Sequence, residues 1–122
     1  METNNRRILI IDHNPKNIEL LTDALSKFGF SCVAAGDYQA IDNLLAAPAF
    51  DIILIDIAGF DTDIWDRCKT IHKLQIPFLI LSSKPSPVLH QHGIRYGARG
   101  IVSKPVILKD FVKLINSLIN ET

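Results

Sequence analysis

Residues 51–56 have the sequence DIILID, in which four consecutive aliphatic residues stand between two aspartates. Two similar apolar runs, ILII at residues 8–11 and FLIL at residues 78–81, lie on either side of it in the chain. Uninterrupted apolar strands are typical of a parallel sheet that helices cover on both faces. The three runs therefore predict the central strands of such a sheet, and residues 30–35 and 100–103 are weaker candidates for two more.

The segments between these runs have apolar residues at helical spacing. Asn14 and Pro15 are typical of a helix start, and the apolar positions that follow run from Ile18 to Phe28. Further helices are predicted within residues 37–48 and over residues 63–74, 87–96 and 107–119. In the last of these, the apolar residues expected to face inward are Leu108, Phe111, Val112, Ile115, Leu118 and Ile119. Five alternating β-α units with right-handed crossovers predict one α/β domain over residues 1–122, with its core at about residues 7–119. The expected fold is a flavodoxin-like, doubly wound sandwich with the strand order 2-1-3-4-5.

Composition narrows the possible functions. The chain of 122 residues has 13 Lys and Arg against 13 Asp and Glu, and this balance predicts no binding to nucleic acid or to an anionic membrane. Cys32 and Cys68 match no metal-binding or disulfide spacing, which favours free thiols in a reducing compartment. The first residues are polar and no apolar run is long enough to cross a bilayer, so a cytoplasmic protein is expected.

Polar residues follow four of the predicted strands at the edge where ligands bind in sheets of this kind. Asp12 and His13 follow the first strand, Asp56 the third, Ser82 the fourth and Lys104 the fifth. The second strand ends in residues 34–36, AAG, which carry no reactive group. We expect the four polar segments to converge on one patch.

Phosphoryl transfer to a carboxylate is the chemistry that this set of residues favours. A carboxylate nucleophile forms an acyl phosphate, and the charge of the incoming group must be offset by cations. Asp12 and Asp56 together can hold Mg²⁺, which prefers carboxylate, phosphate and water oxygens. Lys104 offers a point charge to a phosphoryl oxygen, and Ser82 can donate a hydrogen bond to another.

Four sequence motifs, at residues 8–12, 51–56, 77–82 and 97–105, resemble those of the receiver domains of two-component response regulators. The resemblance covers about residues 7–119 and implies that Asp56 is the phosphoacceptor, Asp12 an acidic metal ligand, Ser82 the switch hydroxyl and Lys104 the phosphate-binding lysine. It also implies a signalling module of a phosphorelay rather than a conventional enzyme. A sensor histidine kinase or a phosphotransfer protein would supply the phosphoryl group, and the domain would then switch conformation. The bond before Pro105 is cis in many such domains.

The sequence departs from this family after the first strand. Receivers usually have two adjacent acids there, whereas His13 stands in the second position. Imidazole suits softer metals than Mg²⁺, so weakened Mg²⁺ binding is predicted, with His13 a doubtful ligand. Ala58 stands where a backbone carbonyl would bind the metal, and residues 59–60 are GF in place of the common Met-Pro pair. Ile101 replaces the aromatic residue that often accompanies the switch hydroxyl.

Two other functions remain open on the sequence. A pseudo-receiver would keep the fold as a phosphorylation-independent interaction module. An aspartate-nucleophile phosphatase is disfavoured, because it needs a second acid where Ala58 stands and a nucleophile on the first strand. A homodimer through the fourth and fifth units is a further expectation, with Ile101, Val106 and Phe111 as candidate contacts. Whether the chain acts alone or within a larger protein is left open.

Overall fold

The computed structural model describes residues 6–121, in which strands and helices alternate without exception. The strands are β1 (Arg7–Ile11), β2 (Ser31–Ala35), β3 (Ile52–Asp56), β4 (Phe78–Ser82) and β5 (Gly100–Ser103). The helices are α1 (Pro15–Ser26), α2 (Tyr38–Leu45), α3 (Ile64–Lys73), α4 (Pro87–Arg95) and α5 (Leu108–Ile119).

All five strands are parallel and lie in the order β2-β1-β3-β4-β5, which confirms the predicted topology. Because neighbouring side chains of a strand point to opposite faces, each apolar run supplies two cores at once. Ile8, Ile10 and Leu54 face α1 and α5, whereas Leu9 and Ile53 face α2, α3 and α4. The continuous apolar runs are therefore explained by burial on both faces of the sheet.

Helix starts follow the signals in the sequence. The side-chain oxygen of Asn14 accepts a hydrogen bond from the amide of Lys16 at 2.8 Å, and Asp37 accepts one from the amide of Ala40 at 2.8 Å. Both satisfy backbone donors that a first helical turn leaves unpaired. Asp63 precedes α3 without forming such a bond.

Two expectations about apolar residues are wrong: the place of Phe28 on the face of α1, and the role of Phe111 as a dimer contact. Phe28 lies beyond the end of α1 and is 44% exposed, so it does not continue the apolar face of that helix. Phe111 is only 3% exposed and belongs to the core under α5, so it cannot be a contact of a dimer face. Ile101 and Val106 are half-buried. The large apolar side chains exposed on α4, on α5 and just before α5 are instead Val88, Ile94, Ile107 and Leu114.

The two cysteines are separated by the sheet. Cys32 packs against the core on the α1 and α5 face, and Cys68 is buried on the other face. Burial raises the pKa of the Cys32 thiol to about 11 and that of the Cys68 thiol to about 12. Both thiols therefore stay protonated and unreactive.

No helix within the described residues is both long and apolar enough to cross a membrane.

Candidate functional site

Two acidic residues lie side by side where β1 and β3 end. Ile11 is paired in register with Ile55, so Asp12 and Asp56, the next residues along, emerge at the same edge of the sheet. The amide of Asp12 still donates to the carbonyl of Ala35 at 3.1 Å, which holds its backbone in line with β2. Asp12 is 4% exposed and Asp56 is 3% exposed. Two buried carboxylates therefore flank the position where the strand order reverses.

Each oxygen of the Asp56 carboxylate has its own partner. Oδ1 accepts a hydrogen bond from the amide of Ala58 at 3.0 Å, and Oδ2 lies 2.5 Å from Nζ of Lys104. Lys104 comes from the segment after β5, two strands away in the sheet. Its ammonium thus offsets the charge of a carboxylate that has been removed almost completely from water.

Asp12 is held by the start of α1. Its Oδ1 accepts a hydrogen bond from the amide of Asn14 at 2.9 Å. Burial raises the pKa of the Asp12 carboxyl above its ordinary value, and the nearby charge of Asp56 adds to this effect. The bond from Asn14 and the charge of Lys104 act in the opposite direction without cancelling it. The hydrogen bond and the nearby lysine therefore do not fully compensate for the burial of the negative charge on Asp12.

Ser82 ends β4 beside this pair. Its Oγ accepts a hydrogen bond from the amide of Lys84 at 3.1 Å, so the hydroxyl hydrogen remains available for another acceptor. Its carbonyl accepts from the amide of Lys104 at 2.9 Å, which ties the ends of β4 and β5 together. The peptide bond between Lys104 and Pro105 is cis, as the resemblance implied.

His13 is exposed and contacts the loop between β3 and α3. Its ring packs edge to face on Phe60, with 5.8 Å between the centroids. Gly59 has a φ of +85°, and a Cβ at this position would meet the imidazole at about 3.0 Å. The glycine therefore permits both the turn and the close approach of His13.

Two further features around the site have no local signal in the sequence. Tyr38 of α2 packs on Phe60 with centroids 5.5 Å apart, and its hydroxyl donates to Oδ1 of Asp61 at 2.5 Å. A cavity of about 310 Å³ also opens beside Asp12 and Lys104, between α1 and the segment after β5. Both arise where side chains from distant segments meet, so no local pattern could signal them.

The donor set fits a hard cation only in part. The carboxylates of Asp12 and Asp56 are oxygen ligands of the kind that Mg²⁺ prefers, and a third oxygen would come from the backbone of Ala58. Across residues 6–121, no three His, Cys, Asp or Glu side chains come together as a metal-binding group. The two carboxylates are thus not joined by a third acid or by the imidazole of His13.

Known proteins that match this chain over most of its length are response regulators and their receiver domains. The family model for the response regulator receiver domain matches residues 8–116. The DNA-binding response regulator MtrA of Mycolicibacterium smegmatis is 27% identical over 118 residues. That alignment covers 96% of this chain and 52% of MtrA, so the chain spans about half the length of this relative.

Solved structures share the fold closely. A two-component response regulator from Clostridium difficile superposes with a TM-score of 0.87 at 21% identity, covering 96% of this chain and 98% of that one. The non-phosphorylated HemR receiver domain of Leptospira biflexa gives a TM-score of 0.83 at 26% identity, with 97% of each chain covered.

The match to the family model and to a response regulator identifies the chain as a signalling module of two-component systems. The chain belongs to the response regulator receiver domain family.

Proposed function

We propose that this domain accepts a phosphoryl group on Asp56 from a phosphohistidine of a sensor kinase or a phosphotransfer protein. The contact between Oδ2 of Asp56 and Nζ of Lys104, at 2.5 Å, is the observation that carries the proposal. Through this contact, the ammonium of Lys104 lies beside the carboxylate of Asp56, and the end of β3 lies between the ends of β1 and β4. The proposed receiver unit comprises residues 1–122, with its core at about residues 7–119.

In the proposed step, an oxygen of Asp56 forms a bond to phosphorus while the bond from phosphorus to the histidine nitrogen of the donor breaks. The donor nitrogen keeps the electron pair of that bond. Lys104 then follows the negative charge from the carboxylate to a phosphoryl oxygen. The free hydroxyl hydrogen of Ser82 is donated to another phosphoryl oxygen, which draws the end of β4 towards Asp56 and changes the conformation of the domain.

Receiver domains generally bind Mg²⁺ in an acidic pocket, where it offsets the charge of the transferred group. Here Asp12, Asp56 and the backbone carbonyl of Ala58 would hold the ion. With His13 in place of a second acid, the pocket has fewer negative charges, so we propose that it binds Mg²⁺ more weakly than a pocket with three acids.

The second candidate function is a pseudo-receiver that binds partners without being phosphorylated. His13 and its packing on Phe60 favour this alternative, because they fill the place of a metal ligand with an aromatic contact. A homodimer through α4, β5 and α5 is compatible with either function, and its exposed large apolar residues would be Val88, Ile94, Ile107 and Leu114.

The deciding experiment is intact-protein mass spectrometry after incubation with Mg²⁺ and acetyl phosphate or phosphoramidate. We expect one phosphoryl adduct on the native chain and none on Asp56→Asn. Asp51→Asn is the matched control, because Asp51 precedes the opposite end of β3 and its Oδ2 accepts a bond from the amide of Arg7 at 2.8 Å. This variant should still gain the adduct.

An adduct that persists in Asp56→Asn would overturn the assignment of the phosphoacceptor. If the native chain gains no adduct from either donor while remaining folded, the phosphoacceptor function is wrong and the pseudo-receiver replaces it.

A further inference from the structure

The balanced net charge of the chain conceals a strong separation of charges along the sequence. Residues 67–109 contain eight Lys and Arg and no Asp or Glu, whereas residues 1–66 contain eleven Asp and Glu against four Lys and Arg. A net charge of zero therefore does not exclude an anionic ligand, because local charge decides which ligands a surface attracts.

Part of this positive charge surrounds one recess between α3 and α4. The recess has a volume of about 310 Å³ and is lined by Lys69, His72 and Lys73 of α3 and by Arg95 and Tyr96 at the end of α4. We call these five residues the basic recess. Within residues 6–121, its three Lys and Arg side chains form no ion pair with a carboxylate.

Several cations elsewhere in the described residues are paired with carboxylates. Arg67, on the same helix, donates two hydrogen bonds to the carboxylate of Asp42, and Lys104 contacts Asp56. In the basic recess, Lys69 and Lys73 stand one helical turn apart, which is unfavourable for like charges. The ends of the helix dipoles offset part of this cost, since His72, Lys73 and Arg95 lie in the last turns of their helices.

The walls of the basic recess are held in place by aromatic packing and a close backbone contact. Trp65 of α3 packs on His92 and Tyr96, with centroid distances of 4.3 and 5.3 Å. His72 lies so close to the backbone of Gly97, which has a φ of +101°, that any Cβ there would overlap its ring. The ammonium of Lys69 lies 5.4 Å from the ring centroid of Tyr96. The basic side chains therefore extend from helices that tight packing holds in fixed positions.

We propose that the basic recess binds a compact polyanion that carries two or more phosphate groups. The basic side chains line one concavity from two helices instead of forming a line along one of them. This arrangement suits a small ligand better than an extended nucleic acid or an acidic peptide. Arg95 offers paired N–H donors to phosphate oxygens, Lys69 and Lys73 offer point charges, and Tyr96 forms a wall against which an organic group can pack.

The basic recess is distinct from the site of Asp12 and Asp56. Each helix of a β-α unit runs back against the direction of the strands, so the last turns of α3 and α4 lie towards the edge where the strands begin. Asp56 lies at the opposite edge, where the strands end. Binding in the basic recess therefore does not depend on the proposed phosphoacceptor function.

Isothermal titration with pyrophosphate, orthophosphate and ADP, at low salt and without Mg²⁺, tests this proposal. We expect saturable binding of one pyrophosphate per chain, tighter than that of orthophosphate. Lys73→Gln and Arg95→Gln should each weaken pyrophosphate binding by about tenfold, as loss of a charge-assisted contact predicts. Comparing ADP with pyrophosphate distinguishes a nucleotide from an inorganic polyphosphate as the ligand. Tighter binding of ADP would show that the organic group adds to the affinity by packing on Tyr96.

The matched controls are Lys84→Gln and Lys109→Gln, which remove exposed cations of the same acid-free segment outside the basic recess. They should change affinity by less than about twofold, as expected for diffuse surface charge. The proposal is overturned if pyrophosphate does not saturate, or if the control variants weaken binding as much as the recess variants. Tighter binding of a short DNA duplex or a Glu-rich peptide would overturn it as well.

Discussion

The raised pKa of Asp12 makes this residue a source of instability in the folded protein at neutral pH. Its carboxylate is buried beside Asp56, and its bond from Asn14 only partly compensates for the loss of water. A group whose pKa is raised by folding binds its proton more tightly in the native state. Its stabilising contribution is therefore complete below the ordinary value of 3.8 and is lost as the pH rises through the folded pKa.

Asp12→Asn should consequently increase the free energy of unfolding at neutral pH. The amide oxygen of asparagine can still accept the bond from Asn14, while the buried charge is gone. We expect a higher urea midpoint than that of the native chain, with an advantage that shrinks as the pH falls towards 3.8. Asp23→Asn, on the exposed side of α1, should change the midpoint little at any pH. Lower stability of Asp12→Asn at neutral pH would contradict this account.

Substitutions of His13 test whether Mg²⁺ binding depends on the number of negative charges in the acidic pocket. His13→Asp would restore a third acid beside Asp12 and Asp56, and Mg²⁺ affinity measured by titration calorimetry should rise by about tenfold. His13→Asn has nearly the same shape as the aspartate variant without its charge, so it should bind Mg²⁺ as the native chain does. Equal affinity of His13→Asp and the native chain would show that the third acid does not govern Mg²⁺ binding.

Among the elements, α5 shows where the sequence was sufficient and where it was not. The helical spacing of its apolar residues predicted both its extent and its inward face. The same spacing puts Phe111 on the inward face, so its burial confirms the helix pattern and contradicts only the expected dimer contact. Similarly, the end of α1 was predicted within a few residues, yet Phe28 lies past the last turn and is exposed.

Truncations on α5 should separate its buried face from its exposed face. Phe111→Ala removes a side chain from the core and should lower the free energy of unfolding by about 3–5 kcal/mol. Leu114→Ala, at a position that is 38% exposed, should cost less than about 1 kcal/mol. Chemical denaturation followed by circular dichroism measures both values. Similar costs for the two variants would mean that α5 is rotated relative to the sheet.

The neighbouring α3 and α4 show why the rest could not be predicted. Each strand-end residue of the candidate site had a local signal, since the end of an apolar run marks the edge of the sheet. In contrast, Trp65, His92 and Tyr96 belong to two helices and meet only because those helices pack side by side. The separation of charge is visible in the sequence, but convergence of the cations on one recess requires the three-dimensional fold.

For the whole molecule, the sheet is shared by both cores, and this predicts a cooperative unfolding transition. Leu54 packs on the α1 and α5 face, whereas its neighbour Ile53 and the single tryptophan, Trp65, belong to the other face. Because β3 contributes alternate residues to each core, neither core can be lost without disrupting the strand that supports the other. A domain of this size is expected to unfold in one step.

Leu54→Ala should therefore lower the urea midpoint seen by Trp65 fluorescence, although the truncated side chain faces the opposite core. We expect a loss of about 2–5 kcal/mol, with fluorescence and far-ultraviolet circular dichroism giving the same midpoint and an unchanged slope. Ile53→Ala, which opens the core that contains Trp65, is the matched comparison and should shift both signals together in the same way. If Leu54→Ala moved the circular dichroism midpoint but left the fluorescence midpoint in place, the two cores would be independent folding units, and the sheet would not couple them.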